Sequence, residues 1–313
     1  MALLLATFAR ASAAPTATLL VAGLEGGSGS TVGPGGALFV TESLAGRISR
    51  VDPQTGDITT IASGLPTRIL GFGGAVDVAF IGDTAYALVT LVGFDGSADV
   101  GIYRVDGPNA FTVVANVGEF SRLNPPDTAF SVATGVQYAI ETFRGGFLVT
   151  DGHHNRMLWV TLEGGITELL AFENIAPTGL AVSGNTIFMA EAGPVPHLPE
   201  NGKIVAFDPT ARTVTVVAAG APLLVDVEFG RGRRLYGLSQ GDFLAGLPPG
   251  SPALPDTGAL VEVNADGTFT TIVSGLDRPT SLEFIGNTAY IVTRTGEIWK
   301  IDDVSGPPFG KSH

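Results

Sequence analysis

Short apolar runs separated by turn residues recur along the whole chain, and no segment keeps a helical period. Within these runs β-branched and aromatic residues predominate, which is typical of half-buried strands. One plan repeats: an apolar strand, a second strand ending in an acid or a hydroxyl, a third strand with a polar turn, and a Thr-rich fourth strand. Internal repeats of roughly 40 to 50 residues built from short strands predict a β-propeller.

Six units of this plan are present. Their inner strands are GSTV (29–32), VDVAF (76–80), VQYAI (136–140), GLAV (179–182), VDVEF (225–229) and SLEF (281–284). The last unit lacks a fourth strand, whereas an isolated copy of that strand, TLLVAGL, stands at 18–24. We therefore predict an all-β, six-bladed propeller in which the N-terminal strand joins the last blade and closes the ring.

The predicted domain organisation is simple. Residues 15–304 form one propeller, and residues 305–313 form a Pro/Gly-containing tail. Residues 1–14, MALLLATFARASAA, combine an apolar stretch with small residues that resemble an Ala-x-Ala cleavage site, which indicates a signal peptide remnant and an extracytoplasmic protein. No other segment approaches the ~18 apolar residues of a membrane span.

Charge and motifs exclude several classes of protein. With a net charge of −13 and 17 scattered Lys and Arg residues, the chain lacks the basic stripe that nucleic acid requires. The absence of cysteine removes disulfides and thiolate chemistry. The string GLSQG at 237–241 matches G-x-S-x-G, but a Pro/Gly-rich loop follows it instead of the helix that a nucleophile elbow requires.

Long loops are expected on one face of the ring. They enter the inner strands or join second to third strands, and they span 65–75, 91–99, 118–135, 193–201 and 240–257. Binding residues concentrate on long loops held by a rigid scaffold. We therefore predict the ligand site on this face, at the mouth of the central channel.

A first candidate site lies in the channel. Alignment of the inner strands places Asp77, Gln137 and Asp226 in one column with Ser281, and the two aspartates lie across the ring from each other. These oxygen donors could hold Ca²⁺, which prefers carboxylates, carbonyls and water. Alternatively, the two carboxylates hydrogen-bond loop amides or ordered water.

A second candidate site follows the ends of the second strands. The aligned column there is Glu42, Val89, Asp151, Glu191, Ser239 and Thr293. The run Asp151-Gly-His-His-Asn-Arg156 is the densest group of chemically capable side chains, and His153 or His154 could act as a general base. The predicted binding residues on this face are Glu42, Asp151, Asn155, Arg156, Glu191, His197, Gln240 and Asp242.

The strings DGHHNR and EAGPVPHLPENGK, with TGALVEVNADGTFTTIVSGLDRPTSL, resemble the ScyD/ScyE family of exported propellers. The resemblance implies a six-bladed fold whose namesakes are encoded beside scytonemin pigment biosynthesis genes. It brings no catalytic residues. More loosely, the chain is similar to NHL-repeat propellers and to SMP-30/gluconolactonase propellers, which hold Ca²⁺ with Glu, Asn and Asp and hydrolyse lactones. Here the first inner strand supplies no Glu, and Gln137 stands where the column would need Asn.

Three functions are compatible with these features. The leading prediction is an exported binding or assembly module for a small molecule, a glycan or a protein. The second is a metal-dependent hydrolase, lactonase-like, or a lyase, with Asp77, Asp226 and Glu42 as cation ligands and His153 or His154 as base. The third is a purely structural surface protein.

Overall fold

Four-stranded antiparallel sheets make up almost the whole architecture. The structure, a computed structural model, describes residues 15–248 and 250–305. Over these residues six such sheets are arranged as the blades of a ring. The chain is therefore a six-bladed β-propeller, which confirms the fold predicted from the repeats. The predicted signal peptide and residues 306–313 of the predicted tail lie outside the described residues.

The first three blades follow one another along the chain. Blade 1 contains β2 (Gly27–Val32), β3 (Leu38–Glu42), β4 (Arg47–Val51) and β5 (Ile58–Ser63). Blade 2 contains β6 (Gly74–Ile81), β7 (Thr84–Thr90), β8 (Gly101–Gly107) and β9 (Ala110–Ala115). Blade 3 contains β10 (Gln137–Phe143), β11 (Gly146–Asp151), β12 (Arg156–Val160) and β13 (Ile166–Ala171).

The last three blades complete the ring. Blade 4 contains β14 (Pro177–Ser183), β15 (Thr186–Glu191), β16 (Lys203–Asp208) and β17 (Thr213–Ala219). Blade 5 contains β18 (Leu224–Phe229), β19 (Leu235–Ser239), β20 (Gly258–Val263) and β21 (Phe269–Leu276). Blade 6 contains β22 (Pro279–Ile285), β23 (Thr288–Thr293), β24 (Ile298–Ile301) and, from the start of the chain, β1 (Ala17–Val21).

The ring closes through β1. This strand pairs antiparallel with β24, with Leu19 opposite Trp299 and Ala17 opposite Ile301. The two ends of the propeller therefore share one sheet, as the displaced fourth strand predicts. Closure covers the outer edge of β24, which would otherwise be free to pair with other chains.

Helical structure is short and lies in the loops. The α-helix α1 (Val117–Leu123) begins after Asn116, whose side chain accepts a hydrogen bond of 2.7 Å from the Glu119 N–H. Single 3₁₀ turns occur at Pro34–Gly36, Pro199–Asn201 and Arg231–Arg233. None of the helices in residues 15–248 and 250–305 is long and apolar enough to cross a membrane.

The core lies between adjacent blades. Ring contacts join Phe39 to Phe80 at 4.6 Å between blades 1 and 2, and Tyr236 to Phe284 at 4.8 Å between blades 5 and 6. Large apolar side chains of the second and third strands, such as Leu88 and Ile102, are fully buried around such contacts. Burial of aromatic and aliphatic surface between sheets is the main stabilising contribution in this fold.

Each inner strand carries a β-bulge near its first residues. In β18, for example, Leu224 lies opposite Ser239 but Asp226 lies opposite Leu238, so one extra residue is accommodated. The same one-residue shift occurs in β2, β6, β10, β14 and β22. A bulge bends the strand and changes the direction of the side chains that follow it. In this ring it decides which side chains line the channel.

Candidate functional site

The channel is lined by carboxyl groups that follow these bulges. Asp77 and Asp226 line the same cavity, of about 30 Å³, and lie in opposite blades as predicted. Glu141, Glu228 and Glu283 line it as well. A cavity of this size holds roughly one water molecule.

The two aspartates join neighbouring blades. The Asp77 carboxylate accepts a hydrogen bond of 2.8 Å from the Ile140 N–H in blade 3, and Asp226 accepts one of 2.8 Å from the Leu282 N–H in blade 6. Each also accepts a bond of 2.9 Å from the N–H of the next residue in its own strand. The sequence left two roles open for these aspartates, calcium binding and hydrogen bonding. The structure shows hydrogen bonds from backbone amides.

Gln137 is not part of this group, which corrects its predicted place in the column. It precedes the bulge of β10, so the residue equivalent to Asp77 and Asp226 in blade 3 is Ala139. The Gln137 side chain is buried, accepts a hydrogen bond of 2.7 Å from the Thr90 hydroxyl and donates one of 3.2 Å to Asp151. Simple alternation along the strand misplaced it because the bulge adds a residue.

Burial raises the pKa of every acid in the channel. It raises the pKa of Asp226 to about 7 and that of Glu228 to about 8, and nearby carboxylates add to both shifts. The pKa values of Asp77 and Glu283 are raised well above their ordinary values for the same two reasons. No basic side chain lines this cavity among the described residues. Several of these groups are therefore protonated near neutral pH.

This arrangement does not suit a calcium ion. Within residues 15–248 and 250–305, no group of three or more Asp, Glu or His side chains is placed to hold a metal ion. Carboxyls that are protonated and occupied by backbone N–H groups are poor ligands for a hard cation. The calcium site at Asp77, Asp226 and Gln137 stays a prediction that this geometry does not favour.

The DGHHNR run forms a buried network rather than an open site. Asp151 accepts hydrogen bonds from the N–H groups of Val136 (2.9 Å) and His154 (3.1 Å). Asn155, at the turn with φ 53°, accepts 3.0 Å bonds from the N–H groups of Ile175 and Ala176. Both side chains are buried and fix the loops around blade 3. The structure shows both side chains ordering these loops, and their contact with a ligand stays a prediction.

Arg156 lies at the centre of this network. Its guanidinium is fully buried and donates to the carbonyl of Asn124 (2.8 Å) and to the hydroxyl of Ser121 (2.9 Å), both in the segment around α1. Its Nε lies 3.7 Å from Asp151 and has no hydrogen-bond partner among the described residues. Arg156 therefore clamps residues 116–135 onto blade 3 and is not free to bind a ligand.

Neither adjacent histidine is presented as a catalytic base. The Nε2 atom of His153 accepts hydrogen bonds from the N–H groups of Ser131 (2.8 Å) and Val132 (3.0 Å). His154 is buried, with Nε2 2.9 Å from the Val132 carbonyl and Nδ1 3.1 Å from Arg156. Burial lowers the pKa of both rings. Because both rings are engaged with the loop, we leave them out of the candidate site.

Glu42 is also engaged inside the protein. It is fully buried, receives two hydrogen bonds of 2.7 Å from Arg47 and accepts one of 2.5 Å from the Ser49 hydroxyl. The hydrogen bonds to its charged form outweigh burial and lower its pKa. Its role is to anchor the first residues of blade 1, where it also accepts a bond of 2.7 Å from the Glu25 N–H.

Glu191 differs from the other acids of the second-strand column. It is buried at the end of β15, and its carboxyl makes no hydrogen bond within the part of the chain that the structure describes. Burial raises its pKa to about 7, although its cross-strand neighbour Lys203 opposes the shift. A carboxyl that titrates near neutral pH is suited to proton transfer.

His197 lies on the loop that follows Glu191. Its Nδ1 is 2.7 Å from the Gly193 carbonyl, which fixes the ring as an Nδ1–H donor and leaves the Nε2 lone pair without a hydrogen bond among the described residues. The ring packs edge-on against Phe243 of the next blade at 5.1 Å. Burial lowers its pKa, so the neutral form predominates.

The 240–257 loop covers this part of the face. The Gln240 side chain accepts a hydrogen bond of 3.1 Å from the Ala253 N–H, so it orders the loop from within. Ala253 in turn packs on Ala192 and Leu223 beside the channel mouth. Asp242 is exposed, and its N–H donates to Thr257 at 2.9 Å. Of the predicted binding residues, Glu191, His197 and Asp242 thus keep groups available to a ligand.

Exposed apolar side chains mark the face that carries the long loops. We call it the long-loop face, formed by residues 43–46, 64–73, 91–100, 116–136, 192–202, 240–248, 250–257, 277–278 and 294–297. Of the seventeen large hydrophobic side chains exposed in the described part of the chain, eleven lie on it. They include Ile69, Leu70, Phe94, Phe130, Leu198 and Leu244, with at least one on each of the five long loops.

A second opening lies on the outside of the ring. This groove of about 650 Å³ runs between β21 and the outer part of blade 6, and Asp256, Val273 and Trp299 line it. The carboxyl groups of Asp256, Asp277 and Glu297 line it, but none of the candidate site residues selected in the sequence does. We therefore assign the candidate site to the long-loop face.

Comparison with known proteins supports the fold alone. No protein-family profile matches the chain, and no curated protein matches its sequence. Among solved structures, virginiamycin B lyase from Staphylococcus aureus aligns over 92% of this chain and 98% of its own, with a TM-score of 0.55 and 15% identity. A gluconolactonase from Xanthomonas campestris aligns over 92% and 89%, with a TM-score of 0.62 and 12% identity.

A third structure has yet another activity. The PQQ-bound aldose sugar dehydrogenase from Streptomyces coelicolor aligns over 92% of this chain and 98% of its own, with a TM-score of 0.60 and 16% identity. At such low sequence identity, the similarity shows that the fold is shared but does not show a shared function, because one fold supports many different reactions. The similarity to SMP-30/gluconolactonase propellers is thus confirmed at the level of the fold.

Sequence reasoning missed three acids of the channel. Glu141, Glu228 and Glu283 each stand two residues after the bulged position of their inner strand. Residues two apart in a strand point to the same side of the sheet, so a second aligned column would have found them.

Proposed function

We propose that this protein is a ligand-binding propeller whose binding surface is the long-loop face, and that its ligand is a small molecule with an apolar part. The observation that carries the proposal is the concentration of exposed apolar side chains on the five long loops. Apolar surface rimmed by polar groups marks binding sites in soluble proteins. The ionisable groups Glu191 and His197, held among these loops, are typical of a small-molecule site.

A neutral apolar dye tests the proposal directly. We expect saturable binding of Nile red to the folded protein, followed by fluorescence. The triple variant Phe94→Ser, Phe130→Ser and Leu244→Ser should bind at least about fivefold more weakly. The matched control changes three exposed apolar residues of outer strands, Ile58→Ser, Val214→Ser and Val216→Ser, and should bind as the parent does. Equal losses in both variants would contradict the proposal.

A second candidate function is a hydrolase or lyase, favoured by one observation. Glu191 has a pKa of about 7 and no hydrogen-bond partner among the described residues, and His197 offers a free Nε2 on the following loop. Such groups accept and donate protons efficiently near neutral pH. The names of the lyase and gluconolactonase structures supply suitable first substrates, virginiamycin B and gluconolactone.

A substrate panel separates the two functions. If the protein is an enzyme, turnover of one lactone, ester or virginiamycin B should fall at least about a hundredfold in Glu191→Gln. It should persist in Glu200→Gln, which changes an exposed acid of the same loop. A panel without turnover, together with Nile red binding, would leave the binding function alone.

We also propose that the protein is exported, as its resemblance to the ScyD/ScyE family implies. The proposal rests on the composition of residues 1–14, which lie outside the described residues. Expression in a bacterial host followed by fractionation and N-terminal sequencing tests it. A mature chain that begins after Ala13 outside the cytoplasm is expected, whereas intact Met1 in the cytoplasmic fraction would contradict export.

A further inference from the structure

Three arginines meet where blade 6 joins the first two blades on the long-loop face. Arg278 directly precedes the inner strand β22, and Arg294 directly follows the second strand β23 of the same blade. Arg68 lies far away in sequence, on the loop that enters β6 of blade 2. Nothing in their local sequence relates them, and the ring closure brings them together.

Backbone and side-chain contacts hold the three positions together. The Arg294 N–H donates to the Arg278 carbonyl at 3.1 Å. The Arg294 guanidinium donates to the carbonyl of Gly71, three residues after Arg68 on the same loop. That loop is itself held to blade 1, because the Arg68 N–H donates to the Ser43 carbonyl at 2.8 Å. The three side chains therefore rise from one connected part of the face.

Their charges are largely unneutralised. Arg278 forms an ion pair with Asp277, at 2.6 Å. Arg68 and Arg294 form no ion pair within residues 15–248 and 250–305, and the Arg68 side chain makes no hydrogen bond there. Burial lowers the pKa of Arg294, and the positive charges of Arg68 and Arg278 lower it further. In a chain with a net charge of −13, such a concentration of positive charge is a local exception.

We propose that Arg68, Arg278 and Arg294 form a binding site for an anionic group, a carboxylate or a phosphate, on the long-loop face. The guanidinium is planar and donates two parallel hydrogen bonds to either group, and it loses little hydration on doing so. Because Asp277 pairs with Arg278 alone, a bound anion would supply the negative charge that Arg68 and Arg294 lack, and it would relieve the repulsion among the three arginines. The site goes beyond the proposed function and does not depend on it, because it is defined by charge rather than by the apolar loops.

Calorimetric titration at constant ionic strength tests the site and identifies the anion. One arm titrates inorganic phosphate and the other titrates succinate, with chloride as the background salt. We expect saturable binding in at least one arm. Arg68→Gln and Arg294→Gln should each weaken it at least about tenfold, whereas Arg212→Gln, an exposed arginine in the Asp208–Thr213 connection, should leave it unchanged. No saturable binding in either arm, or an equal loss in Arg212→Gln, would overturn the proposal.

Thermal unfolding without added anion separates this role from a structural one. If the arginines are held for a ligand, Arg68→Gln should unfold at the same temperature as the parent or slightly higher, because a repulsive charge is removed. A marked decrease would show that Arg68 supports the fold instead. Should Arg294→Gln fail to fold through loss of its bond to Gly71, Arg68→Gln still decides the question, since its side chain has no partner in the described structure to lose.

Discussion

The Asp77 carboxylate accepts a hydrogen bond of 2.8 Å from the backbone N–H of Ile140, a residue of the next blade. Asp226 and Leu282 repeat this contact between blades 5 and 6. Between blades 6 and 1 the Ser281 hydroxyl takes the place of the carboxyl and accepts from the Ser30 N–H at 3.0 Å. In blades 2, 5 and 6 the side chain that follows the bulge thus links its blade to the backbone of the next one. These links explain the two facing aspartates without any metal ion.

Removal of one link should destabilise the ring. At pH 5, where the raised pKa keeps Asp226 largely protonated, we expect Asp226→Ala to lower the free energy of unfolding by about 2–4 kcal/mol, because two buried N–H groups lose their acceptor. Asp226→Asn retains a carbonyl oxygen and should remain close to the parent. Chemical denaturation measures both.

The same variant tests the calcium prediction. Added CaCl₂ should not raise the unfolding temperature of the parent protein if Asp77 and Asp226 serve only as hydrogen-bond acceptors. A calcium-dependent rise that Asp226→Asn abolishes would instead identify a cation site in the channel.

The channel acids should make the protein more stable in mild acid than in mild alkali. Their pKa values are higher in the folded protein than in the unfolded chain, about 7 for Asp226 and about 8 for Glu228. Their contribution is therefore fully present below about pH 4 and is lost as the pH rises through 7 to 8. Glu42, whose pKa is lowered, acts in the opposite sense in stronger acid.

Glu228→Gln isolates this effect. The amide resembles the protonated acid and keeps an acceptor for the Phe229 N–H, which now donates to Glu228 at 2.7 Å. We expect the variant to be more stable than the parent by roughly 1–3 kcal/mol at pH 8, with a smaller difference at pH 5. Thermal unfolding across this pH range gives the comparison. The exposed Glu163→Gln should show no such pH-dependent gain, and a gain of the same size there would refute the explanation.

Arg156 should be essential for the order of residues 116–135. We expect Arg156→Met to cost about 3–5 kcal/mol, because the buried Asp151 loses its cationic neighbour and the loop loses two hydrogen bonds. Limited proteolysis should then cut within residues 116–135. Arg122→Met removes an exposed pair with Glu119 on the same loop and should cost less than about 1 kcal/mol. Similar protease resistance in the two variants would contradict the clamp.

Closure of the ring can be tested at two nearby positions of β1. Val21 is 5% exposed and packs in the core between blades 6 and 1, whereas Leu19 is 50% exposed. We expect Val21→Asp to destabilise the protein by several kcal/mol, on the order of 3 or more, and Leu19→Asp by less than about 1 kcal/mol. In a Trp159→Phe background, denaturation followed by the fluorescence of Trp299, which lies opposite Leu19, reports on this sheet. Equal tolerance of the two changes would show that β1 contributes little to closure.

The sequence alone determined the architecture of this protein. The period of its apolar runs predicts strands, the repeated plan predicts six blades, and the displaced copy at 18–24 predicts how β1 completes the last one. These features are local or repeated, so each is visible in one chain without knowledge of its pairing. The position of Asp77 opposite Asp226 follows from the same repetition.

The tertiary structure decided which side chains reach a site. The bulge in β10 places Gln137 outside the channel and in contact with Thr90. The position of a bulge depends on how two strands pair, so the sequence of one strand does not reveal it. The segment 116–135 packs over Arg156 and buries it. The residues around Arg156 in the sequence could not show this, because the covering segment lies elsewhere in the chain. The meeting of Arg68 with Arg294 arises from ring closure across more than two hundred residues, and no local pattern in the chain encodes such a distance.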